Sequence, residues 1–122
     1  MLDSGCTHHM TRERSMFSTY LQLEGPRERI AYGGDAGGEV IGVGDIPISH
    51  KYSITNVLHV DLLGYNLLSV SQLSEIGFDC HFSEKGVSII KREDSSTVLL
   101  GHLKGRLYLV DLNKSKVPLR LV

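Results

Sequence analysis

"ITNVLHVDLLGYNLLSVSQLSEIGFDCHF", residues Ile54 to Phe82, changes its hydrophobic rhythm twice. Residues Tyr52 to Val60 alternate in part, the pattern of a half-buried strand. From Asn66 onward Leu73 and Ile76 share a face with Leu68 and Ser69 one turn back. That spacing predicts a helix over 66–77, and Gly77 stands where a C-cap glycine belongs. At Phe78 the period returns to two, with Phe78, Cys80 and Phe82 on one parity. A βαβ fold would need more amphipathic helices than this. The expected fold is therefore all-β, mostly antiparallel, with one short helix.

The flanks agree. Toward the N-terminus, Met1 to Thr7 reads as the end of a strand and a turn. Arg12 to Phe17 reads as a helical turn with Thr11 as N-cap. Arg29–Tyr32 and Val40–Ile48 read as strands joined by Gly33-Gly34-Asp35-Ala36-Gly37-Gly38, a glycine-rich hairpin. Toward the C-terminus, Val87–Ile90, Thr97–Leu100 and Arg106–Leu112 make a short β-meander, with a turn at Glu84-Lys85-Gly86. Lys114 to Val122 begins polar and reads as a tail or linker.

Composition narrows the function classes. The chain has 122 residues, 41% hydrophobic and 22% charged, the profile of one globular domain. Thirteen basic against 14 acidic residues leave a net charge of -1, so no general basic surface invites nucleic acid. The apolar runs are far too short for a membrane span. Asp3, His8, His9 and Arg12 break up any signal peptide. A cytoplasmic location is expected, with Cys6 and Cys80 as free thiols.

The densest cluster of reactive groups is "LDSGCTHHM", Leu2 to Met10. Asp3-Ser4-Gly5 has the make-up of an aspartic-peptidase turn. The carboxylate is presented at a strand end, the small hydroxyl braces the turn, and glycine lets the chain fold back sharply. Such a site needs two facing carboxylates that share a proton, one activating water and the other polarising the scissile carbonyl. The same tripeptide also suits an ordinary turn. Cys6, His8, His9, Cys80 and His81 do not show the paired ligand spacing of common zinc modules, so no metal and no other cofactor is expected. A Cys–His nucleophilic dyad among sequence neighbours would seldom have the required geometry. The glycine-rich stretch lacks the Gly-Lys-Ser/Thr of a phosphate loop, and fits a surface loop or a lid over substrate.

Taken in order, "LDSGCTHHMT", "VIGVGDI", "ITNVLHVDLLGYNLLSVSQLSEIGFDCHF" and "LKGRLYLVDL" resemble the protease region of the Gag-Pol polyprotein of Ty1/copia-type retrotransposons, from Leu2 to about Leu112. The resemblance implies a retropepsin-like acid protease barrel subunit over 1–98. An added C-terminal β-meander and tail over 99–122 would lead toward the segment before the integrase. It implies an aspartic endopeptidase that processes its own polyprotein as a homodimer, with polypeptide as substrate. Asp3 would be catalytic, Ser4 and Gly5 would support the active-site turn, and His8 and His9 would have no catalytic role. Gly33, Gly34, Gly37, Gly38 and Gly42 would belong to the flap. Leu67, Leu68 and Ser69 would pack beneath the site, Ser69 standing where retroviral relatives commonly have glycine. Because Asp-Ser-Gly occurs once, a dyad requires a second copy of the chain, which two-fold symmetry supplies. In the family a hydrophobic strand leads into the aspartate. Here only Met1 and Leu2 precede it, so an N-terminally truncated copy is expected. The alternative reading is an inactive protease-fold module that dimerises, or docks a host protein at an unpaired strand edge.

Overall fold

The computed structural model describes residues 8–30, 38–63, 66–112 and 119–122. Among them the strands are β1 (Met10–Thr11), β2 (Thr19–Gln22), β3 (Arg29–Ile30), β4 (Gly38–Pro47), β5 (Ser53–Val60), β6 (Asn66–Leu68), β7 (Phe78–Phe82), β8 (Gly86–Lys91), β9 (Ser96–Lys104), β10 (Leu107–Val110) and β11 (Leu119–Leu121). One short helix, α1 (Val70–Glu75), and a 3₁₀ turn at Arg14–Met16 complete the described elements. The fold is all-β with a single short helix.

One sheet runs β2-β4-β5-β1-β6-β11-β10-β9-β8-β7, with β3 paired to β4 off that path. The pairs are antiparallel except β1 with β5 and β11 with β6. Strands β3 and β4 pair antiparallel, as expected, with Arg29 opposite Glu39 and Ile30 opposite Gly38; the glycine turn expected between them lies outside the described residues except for Gly38. Register shifts against β5 between Val40 and Gly42, and between Gly44 and Ile46, bend β4. Asn56 absorbs one irregularity with a φ of 57°, and its N–H donates to Asp45 Oδ1 at 3.3 Å. Asparagine tolerates this left-handed conformation better than most residues.

Two apolar clusters fill the interior. The larger joins Met16, Phe17, Ile46, Ile54, Val57, Leu68, Leu73, Phe78, Val87, Ile89, Leu99, Val110, Leu119 and Leu121. The smaller joins Met10, Val40, Val60, Leu63 and Leu67. Strand β6 lies between them. Leu67 faces the smaller cluster and Leu68 the larger, as alternation along a strand requires.

This placement corrects the helix expected over 66–77. Asn66–Leu68 is a central strand and only Val70–Glu75 is helical. The Leu67-Leu68 doublet buries both members by pointing them to opposite faces, which a helix would not do. Ser69 then starts the helix, its Oγ accepting the Gln72 N–H at 3.3 Å. Gly77 ends it with a φ of 94° and an N–H bond to the Ser74 carbonyl.

Three other segments also differ. Thr11 does not cap the first turn. Its hydroxyl accepts the Glu13 N–H at 3.0 Å while it sits in β1. The stretch expected as a tail ends in β11, which enters the sheet between β6 and β10 with Leu119 and Leu121 buried. Strand β9 runs through Gly101 as far as Lys104 before turning at Gly105, whose φ is 64°. The boundary placed between residues 98 and 99 therefore falls inside β9.

Candidate active site

Asp3, Ser4, Gly5, Gly33, Gly34 and Gly37 lie outside the described residues. Gly38 and Gly42 lie in β4, where Gly38 is opposite Ile30 and Gly42 is opposite Gln22 and His59. A side chain on Gly42 would run into the Tyr20 ring and hydroxyl, so the packing of Tyr20 across β4 relies on glycine there. Leu67, Leu68 and Ser69 are buried at the junction of β6 and α1. The structure brings that junction directly against His9, Met10 and Thr11, just after the Asp-Ser-Gly stretch.

Three groups hold His9 there. Its N–H donates to Gln72 Oε1 at 2.7 Å, and its carbonyl accepts the Leu58 N–H at 2.9 Å. Its ring Nδ1 accepts the Ser69 N–H at 2.9 Å. A nitrogen that accepts carries no proton, so the neutral ring has its proton on Nε2. Burial pushes the His9 pKa down to about 4, with the neighbouring His8 lowering it further. The imidazole is therefore neutral at ordinary pH. Gln72 is held from its other end as well, Nε2 donating to the Asn56 carbonyl at 3.1 Å.

Immediately beyond, Asn66 ties the chain down a second time. Its Oδ1 accepts the Thr11 hydroxyl at 2.8 Å and the Arg12 N–H at 3.2 Å. Its Nδ2 donates to Glu13 Oε2 at 2.6 Å. The Arg12 guanidinium donates to the Leu63 carbonyl at 3.2 Å. His9, Thr11, Asn66 and Ser69 are each at most 1% exposed, so these are bonds in a dry interior, where an unmet partner is costly.

A family model for the Pol polyprotein beta-barrel domain matches residues 1–78. The chain belongs to that family. No curated protein and no solved structure matches it. The matched region runs from the Asp-Ser-Gly stretch through β6 and α1 to the first residue of β7. It thus contains the whole polar joint between His9–Glu13 and Asn66–Gln72. The remaining strands, through β11, follow the matched region. They share its larger core through Val87, Leu99, Val110 and Leu119.

A second buried polar group in the Pol domain lies beside Gly42. His59 Nε2 is 3.2 Å from the Arg12 carbonyl, which can only accept, so Nε2 carries the proton. Nδ1 then accepts from the Tyr20 hydroxyl at 2.7 Å. Phe17 meets the Tyr20 ring edge-on with centroids 5.1 Å apart, and the Arg14 guanidinium lies 3.8 Å above the same ring. Burial lowers the His59 pKa and outweighs the opposing bond to Arg12. The arrangement braces β2, the first turn and β5.

Cys80 and His81 do not form a reactive pair. As neighbours on β7 they project to opposite faces. Burial, and then Asp79, raise the Cys80 pKa to about 11, which keeps the thiol protonated. Among the described residues no cluster of His, Cys, Asp and Glu suits a metal ion, and no helix is long and apolar enough to cross a membrane. Sequence reading gave Thr11 a different role, as an N-cap, and passed over Asn66 and Gln72. A signal was present: Asn66, Ser69 and Gln72 recur every third position among leucines and valine, a polar stripe inside an apolar run.

Proposed function

We propose that this Pol polyprotein domain is a retropepsin-like aspartic endopeptidase of a Ty1/copia-type element, active as a homodimer on its own polyprotein. The observation that carries the reading is the family match over 1–78, which includes the single Asp-Ser-Gly of the chain. It is supported by the buried joint that anchors the chain just after that tripeptide. In this reading Asp3 from each of two copies shares one proton. The ionised carboxylate takes a proton from water, whose oxygen attacks the scissile carbonyl carbon. The protonated carboxyl delivers its proton to the carbonyl oxygen. The tetrahedral diol then collapses, the C–N bond breaks, and the amine leaves with a proton. The two carboxylates titrate as a pair, which places activity at mildly acidic pH. Ser4 and Gly5 shape the active-site turn.

The test compares Asp3→Asn with the parent on a Gag-derived peptide. The variant is expected to fold normally and to cleave nothing. Equal cleavage by the two proteins would remove Asp3 from the mechanism.

A further inference from the structure

Among the described residues β7 is an outer strand of the sheet, paired only with β8. The ends of that pairing show which backbone groups it uses. Ser83 and Gly86 each donate an N–H to the other's carbonyl, and the Arg92 N–H donates to the Gly77 carbonyl. Bonded and non-bonded pairs alternate along an antiparallel ladder. His81 with Ser88 and Asp79 with Ile90 are therefore bonded pairs. Phe78, Cys80 and Phe82 turn their N–H and carbonyl groups away from β8. Such an open row of donors and acceptors takes up another extended chain.

The side chains of β7 say which chain fits. Phe78-Asp79-Cys80-His81-Phe82 has an aromatic at each end, with an acid and an imidazole on either side of a central cysteine. A two-fold axis through Cys80 lays this order on its own complement. Asp79 of each copy then stands opposite His81 of the other, and Phe78 opposite Phe82. Outward backbone groups meet outward groups only if the register moves in steps of two residues. One such step sets Asp79 against Asp79, and the opposite step sets His81 against His81. Charge thus favours the register centred on Cys80, since like charges directly opposite are destabilising. In that register Asp79 and His81 form non-hydrogen-bonded pairs, whose side chains come closest, about 5 Å between Cβ atoms. An imidazole N–H can donate to a carboxylate across that gap. Both bonds from Arg92 to Asp79 end on Oδ1, which leaves Oδ2 for the second donor. His81 is exposed. Phe82 is 48% exposed and meets the Tyr108 ring edge-on with centroids 4.9 Å apart, so the pairing also covers apolar surface.

We infer that β7 is a self-pairing edge: two copies of the chain join antiparallel through Phe78–Phe82, centred on Cys80, with Asp79 of each against His81 of the other. The contact is isologous, the same patch on both copies. It uses no residue of the proposed catalytic turn, so it stands or falls independently of the peptidase reading.

The experiment measures amide hydrogen exchange by NMR on the full chain at rising protein concentration. It compares the parent with His81→Asp, His81→Lys and the exchange Asp79→His with His81→Asp. The amides of Cys80 and Phe82 report the contact, because β8 does not use them. Their protection should rise with concentration in the parent and in His81→Lys. His81→Asp places two acids opposite each other twice, and should raise the concentration for half-protection about tenfold or more. The double exchange should bring it back to within about threefold of the parent. Protection of these amides that does not depend on concentration, parent-like protection in His81→Asp, or failure of the double exchange to restore it would each overturn the inference.

Discussion

Replacing Asn66 by alanine should be among the most damaging polar truncations in this domain. The side chain is fully buried and accepts from the Thr11 hydroxyl at 2.8 Å and the Arg12 N–H at 3.2 Å. It also donates to Glu13 Oε2 at 2.6 Å. Alanine leaves two donors without their acceptor, at about 1–3 kcal/mol each when water cannot reach them. The Arg12 amide is only partly buried and Glu13 can be solvated, so those losses fall at the low end. The sum is about 3 kcal/mol, or roughly 10 °C in Tm for a domain of this size. Urea unfolding followed by circular dichroism reads it as a lower midpoint with unchanged slope. Thr11→Val alone and in combination with Asn66→Ala completes a cycle. Residues bonded as described should couple by about 1 kcal/mol or more. A loss below about 0.5 kcal/mol for Asn66→Ala, typical of an uninvolved surface residue, would refute the joint between β1 and β6. So would strictly additive changes in the cycle.

Three further outcomes are expected in other parts of the molecule. His9 has a folded pKa near 4 against an ordinary 6.5, so between those values the unfolded chain binds the extra proton. Stability should be fully present above pH 6.5 and fall by at most about 3 kcal/mol as pH drops toward 4. His9→Asn should lose that slope in a pH series of urea melts, and an identical slope in both proteins would contradict the buried neutral ring. Gly42→Ala should displace Tyr20 from His59 and cost about 2 kcal/mol by overpacking, measured as a fall in Tm. A neutral effect would mean that the Tyr20 side chain does not pack against Gly42. Leu121→Asp should abolish cooperative unfolding, because it puts a charge into the larger core from a central strand. A parent-like melt would place the last strand outside the fold.

Much of this architecture was legible because its strands alternate over enough residues to set a period. Tyr52–Val60 and Phe78–Phe82 are of that kind, the glycines marked the pairing of β3 with β4, and Gly77 marked its helix end by a conformation few other residues take. Other elements were hidden for specific reasons. In β6 the Leu67-Leu68 doublet fits a helix stripe as well as a strand buried on both faces, and only the partners β1 and β11 decide it. In β11 three residues are too few to show a period, and the strand pairs in parallel with the distant β6. In β2 the pattern misleads, because Leu21 points to solvent at 63% exposure while Tyr20 packs inward. The candidate site divided in the same way. Asp3 could be nominated from its tripeptide and from the resemblance over Leu2 to about Leu112, and it lies outside the described residues. The buried partners His9, Thr11, Asn66 and Gln72 could not be, since a polar residue in an apolar run reveals its role only when the distant acceptor is in view.

The proposed function requires two copies of this chain to build one aspartic active site. Active-site titration with a tight-binding transition-state-analogue inhibitor of aspartic peptidases tests it most directly. Cleavage of a Gag-derived peptide should fall linearly to zero at one inhibitor per two chains. Complete inhibition only at one inhibitor per chain, or cleavage that persists at excess inhibitor, would contradict it.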